Sequence, residues 1–282
     1  MKTQSRNKNL LILLIIISTF SVQLAQENLE FFPSNLLVQP YIANTLEPKL
    51  GFEFKTDRNE LSLNVGNSID ILHYKLDDKN NFSFGADLFT YTLLRSQNDF
   101  HFPVDAVDYL FGFNLGYKTN CVDVEFGSRL RFSHISAHFV DGHFDKELNQ
   151  WRDNRKPKVY SREFFELMPY LRFHDLRIYT GITYIYKVDP NNLGQDQYQL
   201  GFDYFFTNLI SSKISPFLAY DFRLINIYSY TGNNSLSAGI KIGNPKGKGF
   251  SIYFRYFNGY NIHGEYFDVK EKFSSIGFNV DL

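Results

Sequence analysis

The sequence predicts an all-β chain folded as a transmembrane, antiparallel, up-and-down β-barrel of about 12 strands. Three observations carry this: strict period-2 alternation, segments of bilayer-crossing length, and connections that alternate between short and long. In Leu176 to Tyr186, residues Leu176, Ile178, Ile182, Tyr184 and Tyr186 share one parity, and Arg177, Gly181 and Thr183 the other. Successive strand side chains point to opposite faces, so this pattern gives one apolar and one polar face. Tyr198–Phe206, Ile214–Leu224, Leu236–Ile242 and Ile276–Leu282 alternate in the same way. No helical stripe of period 3.6 competes with them.

The segments fall near 50–56, 60–74, 81–94, 107–118, 121–138, 158–174, 176–187, 196–208, 212–224, 234–243, 248–260 and 271–282. Most reach the ~9–11 residues a tilted strand needs to cross a bilayer. The even-numbered gaps are short, among them Thr119-Asn120 and Asp175, whereas gaps such as 95–106 and 139–157 are long. Short periplasmic turns and long outer loops are the asymmetry of outer-membrane barrels. A secreted sandwich also alternates, but here the polar faces carry mixed charge (Glu125, Arg129, Arg131, Arg177, Asp203, Asp221, Arg223), which suits a crowded lumen. Aromatic pairs near segment ends (Phe89 and Tyr91, Phe205-Phe206, Tyr256-Phe257) fit interfacial girdles. Pro169 and Pro216 fall inside segments and are expected at bulges.

Residues 1–25 read as a signal peptide. Lys2, Arg6 and Lys8 precede the apolar run Leu10–Ile17, and Ala25 ends it. Residues 26–49, broken by Pro33, Pro40 and Pro48, read as a periplasmic lead-in, and 50–282 as the barrel. The expected location is the bacterial outer membrane. The single cysteine, Cys121, excludes a disulfide framework, a Cys-rich zinc site and a lipidated anchor. With 29 Lys+Arg against 30 Asp+Glu, no basic excess exists to bind nucleic acid.

One constellation points to chemistry. The fifth segment's apolar parity (Val124, Phe126, Leu130, Phe132) continues into His134, Ser136 and His138 on the lipid-facing side. A His and a Ser two apart on one strand face lie side by side, where imidazole can serve as base to the hydroxyl. Matching apolar faces across the next hairpin pairs Phe132 with Phe165 and Leu130 with Leu167. That register sets Glu163 opposite His134 and Ser161 opposite Ser136. A carboxylate there would orient the imidazole and complete a Ser–His–acid arrangement. Arg162 and Glu166 are expected in lumenal ion-pair ladders.

The string Arg131-Phe-Ser-His134-Ile-Ser136 resembles the R-x-x-H-x-S pattern of outer-membrane acyl hydrolases, namely outer-membrane phospholipase A and the lipid A deacylases. The resemblance implies Ser136 as nucleophile, His134 as base and Glu163 as orienting acid, acting on outer-membrane lipid, with calcium a candidate cofactor. Those families follow the serine with Asn, and this chain has Ala137. A wider resemblance rests on Tyr41-Ile-Ala-Asn-Thr-Leu-Glu-Pro48, His134-Ile-Ser-Ala-His138-Phe-Val-Asp141-Gly142 and Tyr160-Ser-Arg162-Glu163. These are similar to an uncharacterised bacterial barrel family, a domain of unknown function. There the second His and the Asp travel together, which makes His138 with Asp141, or His143, a candidate metal pair. The reading is therefore a monomeric or homodimeric barrel with a plugged or narrow lumen and an acyl-ester hydrolase site on its outer wall. Its rival is a non-catalytic barrel serving as channel, binding surface or scaffold.

Overall fold

In the computed structural model, which describes residues 28–282, twelve antiparallel strands close on themselves. They are β1 Gly51–Lys55, β2 Glu60–Lys75, β3 Asn80–Arg95, β4 Val104–Cys121, β5 Val124–Phe139 and β6 Tyr160–Phe173. The other six are β7 Leu176–Asp189, β8 Asp196–Phe205, β9 Ile214–Asn226, β10 Tyr230–Gly243, β11 Gly249–Tyr260 and β12 Lys270–Asp281. Each pairs with its sequence neighbour, and β12 returns to β1 through Ser275↔Lys55 to Asn279↔Gly51. Closure leaves no free sheet edge, which a lipid environment requires. The leader read in residues 1–25 lies outside the described residues.

The alternation sorts the side chains as expected. Val65, Leu88, Phe111, Phe113, Leu115, Leu167, Ile182, Leu200, Ile252 and Ile276 are exposed on the outer wall, while Arg129, Arg131, Glu166, Arg177, Asp203 and Arg223 are buried inside. The girdle assignment needs correction: Phe89, Tyr91, Phe205 and Phe257 are buried in the lumen. Adjacent strand residues face opposite ways, so Phe205-Phe206 and Tyr256-Phe257 each contribute only one ring to the outer wall.

The prolines also behave differently from expectation. Pro169 pairs with Ser128 and Pro216 with Ile240 in unbroken register. The β6–β7 ladder skips the pairs beside Pro169, between Tyr179↔Tyr170 and Ile182↔Leu167, without shifting. Pro216 sits past the end of β8, where its carbonyl still accepts from Phe206 N–H at 2.8 Å. Ladders shift instead at Ile71, Asp105 and Tyr186. Several strands run beyond the alternating segments, so that the loop expected at 225–233 shrinks to 227–229. Near the rim both faces are polar and periodicity no longer marks the strand.

The lead-in does not stay below the barrel. After Leu29–Phe31 pairs with β2 at Leu72–Tyr74, the chain turns into the lumen, where Tyr41, Ala43, Asn44, Leu46 and Glu47 are buried. The lumen is lined with charge that needs counter-charge, and this segment adds Glu47 and backbone carbonyls to what the wall carboxylates supply. Glu47 binds Arg129 (Nη1–Oε2, 2.9 Å) and Arg131 (3.3 Å). Arg131 also reaches Asp87 at 3.0 Å and Glu166 at 3.3 Å, and Arg223 closes the cluster on Glu166 at 3.3 Å. Lower down, Arg177 donates to the carbonyls of Gln39 (2.7 Å) and Pro40 (2.6 Å), and its guanidinium lies over the Tyr41 ring. Glu166 thus joins the lumenal network, whereas Arg162 makes no ion pair among the described residues and packs over Phe164.

The opposite end is closed by the β11–β12 loop, in which Gly264, Glu265, Tyr266 and Phe267 are buried. Gly264 N–H donates to Asp108 Oδ2 at 2.7 Å, and Glu265 Oε1 accepts from Phe139 N–H at 3.3 Å. A Cβ on Gly264 would lie 2.1 Å from the Tyr160 ring and 2.6 Å from Ala137 Cβ, so only glycine lets this cap approach β5 and β6 so closely.

Candidate active site

The hairpin of β5 and β6 has the register its apolar faces demand: Leu130↔Leu167, Phe132↔Phe165, His134↔Glu163 and Ser136↔Ser161. A slip of one residue would turn Phe132, His134 and Ser136 into the lumen, which is why the register is strongly specified. His134, Ser136, Ser161 and Glu163 accordingly stand on the outer face near the long-loop rim.

His134 Nδ1 lies 3.0 Å from Glu163 Oε1. A carboxylate only accepts, so Nδ1 carries the proton and donates, leaving Nε2 unprotonated in the neutral ring. The His134 and Glu163 side chains keep 27% and 18% of their surface, so the pair is sheltered yet open at the wall. Phe111 packs on the imidazole with ring centroids 4.9 Å apart and the planes tilted by 35°. Across the wall the row continues through Glu163↔Lys187 and, one pair higher, Ser161↔Asp189. Among the described residues the Ser136 hydroxyl makes no hydrogen bond, and the second oxygen of Glu163 has no partner. The structure therefore brings His134 and Glu163 into contact and puts Ser136 on the same face, with its hydroxyl uncommitted.

Ala137, at the position where the acyl hydrolases carry Asn, points inward and packs with Tyr160, Leu193 and Phe267. Gly264 packs close against it.

The candidate metal residues are not brought together. His138 is on the outer wall, its ring 6.0 Å from that of Tyr109, and Asp141 is exposed in the loop beyond β5. His143 is buried under the cap, stacked on Phe139 with centroids 3.9 Å apart. Among the described residues, no group of three or more His, Cys, Asp or Glu converges on one point. A calcium ion takes six to eight oxygens, and the Glu163 carboxylate with nearby serines falls short of that shell. The residues present do not fit the ion.

A closed twelve-stranded antiparallel barrel with an apolar outer belt and a charged, filled interior belongs to the outer-membrane barrel class. Comparison bears this out and adds the family: residues 99–281 match the family described as "Protein of unknown function (DUF1207)", and the chain belongs to it. Among solved structures, it resembles outer membrane phospholipase A from Escherichia coli at 13% identity and TM-score 0.52, covering 84% of this chain and 92% of that chain. It resembles equally the calcium-bound outer membrane phospholipase dimer of Salmonella typhi, at 13% identity and TM-score 0.52, over 88% and 94% of the two chains. At such identities the likeness is one of fold. No curated protein matches the sequence.

Proposed function

We propose that this chain is a Ser/His acyl-ester hydrolase of the bacterial outer membrane that takes membrane lipid laterally at its outer wall, as monomer or homodimer. The carrying observation is the 3.0 Å contact between His134 Nδ1 and Glu163 Oε1, one residue pair below an uncommitted Ser136 on the lipid-facing side. Glu163 fixes the tautomer and stabilises the imidazolium that forms. His134 Nε2 takes the Ser136 proton as Oγ bonds to the ester carbonyl carbon. The alcohol then leaves with that proton, and the acyl group stays on Ser136. Water repeats the sequence, with His134 again as base, and releases the fatty acid. Ser136 stands two residues along the same strand face from His134, and the hydrogen bond between them is one the proposed step makes once substrate is bound, as catalytic hydrogen bonds often are.

The test is fatty-acid release from phospholipid in mixed micelles by refolded protein, with wild type beside Ser136→Ala, each with and without calcium. Release that vanishes in Ser136→Ala supports the reading. Equal or negligible release from both overturns it and leaves the second reading, a non-catalytic barrel. Ala137, in place of the Asn of the acyl hydrolases, is the observation favouring that second reading. Among non-catalytic roles a plugged lumen favours a binding surface or scaffold over a channel.

A further inference from the structure

At the end of the barrel where β10 and β11 turn, the plug segment and the wall enclose a cavity of about 70 Å³. That is several times the ~10–15 Å³ one water requires. Its walls are rich in donors. Lys49 is 8% exposed and makes no hydrogen bond or ion pair among the described residues; its Nζ lies over the Tyr253 ring, 5.7 Å from the centroid. Arg255 lends Nη1 to Glu53 at 3.1 Å but leaves Nε without a partner, and the Ser237 hydroxyl, paired across the ladder with Arg255, has none either. Both side chains are more than nine-tenths buried.

The acids at this cavity are already engaged. Glu47 is held by Arg129 and Arg131, and Asp281 by Lys241 at 2.7 Å. The other lining guanidiniums, Arg172 and Arg177, are matched by Glu125 and Asp203. What remains is the ammonium of Lys49, a lining residue without a counter-charge, and two donors of lining residues, Arg255 Nε and Ser237 Oγ, which have no acceptor and no water-accessible surface. A cation without counter-charge and a buried donor without acceptor are both unfavourable; an anion with several oxygens would satisfy Lys49 directly and the other two donors once the Arg255 and Ser237 side chains turn toward it.

We propose that this cavity is a binding site for a small oxyanion, of the carboxylate or phosphate class, with Lys49 supplying charge and Ser237 and Arg255 hydrogen bonds. The site is remote from Ser136 and independent of any reaction there. Because Lys49 belongs to the plug and Arg255 and Ser237 to the wall, the ligand joins the two.

The experiment is titration calorimetry of the folded full chain in detergent at fixed chloride, with inorganic phosphate in one arm and acetate in the other. Saturable one-site binding of at least one anion is expected, and the stronger arm names the class. Lys49→Gln should weaken it about 10- to 100-fold, the range for one hydrogen bond to a charged group. Lys213→Gln, which removes an exposed charge at the same end away from the cavity, should leave it unchanged. Each variant is first checked for folding by its gel shift on heating. If Lys49→Gln does not fold, Ser237→Ala takes its place and should weaken binding in the same sense. Absence of saturation with both anions overturns the proposal, as does wild-type affinity in whichever of these two variants folds.

Discussion

The proton on His134 Nδ1 is held by Glu163, and this decides what each substitution should do. Glu163→Gln keeps the shape but loses the charge that stabilises imidazolium, so turnover should fall about 10²- to 10⁴-fold, the usual worth of general acid–base assistance. KM should change little, since Glu163 touches no lipid in the proposed step; a KM effect without a kcat effect would refute this role. His143 carries a different prediction. Burial under the cap pushes its pKa below the ordinary value near 6.5, despite Asp105 at 3.9 Å, with the Tyr266 hydroxyl 3.3 Å from Nδ1. On account of His143 the opened cap binds more protons than the closed one as pH falls, so the His143 contribution to closure is fully present above about 6.5 and lost below it, while the Glu265 carboxyl, pushed up by burial, works in the opposite sense at lower pH. Hydrogen-exchange protection of residues 141–145 and 264–267 should drop between pH 7.5 and 5, and drop less in His143→Phe, which keeps the stack on Phe139. His134 and Glu163 were legible in the sequence because each lies on a strand whose apolar parity sets its face. The surroundings of His143, which the sequence offered only as a metal ligand, and of Lys49 were not. Both residues lie in connecting segments without periodicity, and only the folded chain shows what surrounds them.

At the level of the element, the β5–β6 register is the claim on which the site depends, and it can be tested without any activity. Directly opposed residues of an antiparallel pair have Cα atoms about 4.5–5.5 Å apart, within disulfide range. With the native Cys121 replaced by serine, Ser136→Cys/Ser161→Cys should therefore oxidise readily, whereas Ser136→Cys/Arg162→Cys should not, because Arg162 faces the other side. Cross-linking of the second pair in place of the first would dismantle the Ser–His–acid geometry. Most of the barrel was legible at this scale, since a strand must alternate wherever it runs between lipid and a polar interior. The two proline errors share one cause. Pro169 and Pro216 were expected to force bulges, but a missing N–H costs nothing where the neighbouring ladder already ends or skips a pair. Bulges arose instead at Ile71, Asp105 and Tyr186. The last of these brings Lys187 level with Glu163, a neighbour that strict alternation would not place there.

For the whole molecule, the consequential feature is that the chain's own N-terminal segment fills the polar interior, its Glu47 joining the wall carboxylates Asp87 and Glu166 around the buried arginines. Glu47 is shared by Arg129 and Arg131, and both guanidiniums are buried with it. A buried ion cluster is weak evidence for stability as such, but breaking it by removing one partner leaves an uncompensated charge, costing about 3–5 kcal/mol. Glu47→Ala should therefore destabilise the plug far more than a surface change would. The barrel wall should suffer less, because its strands pair continuously with one another and not with the plug. Two observables follow. In planar bilayers the wild type should show no steady ion current, since the plug fills one end and the Gly264–Phe267 loop covers the other. Glu47→Ala should pass current in bursts as the plug leaves the lumen, and protease should cut residues 37–49 faster in this variant while the wall stays intact. A wild type that conducts steadily would return the lumen to the list of functional surfaces. Silent Glu47→Ala barrels with unchanged proteolysis would mean that the hydrogen bonds of Arg177 to Gln39 and Pro40 and that of Tyr41 to Met168 hold the plug without the ion cluster. The lumen's charge would then serve to tolerate the plug, and not to retain it.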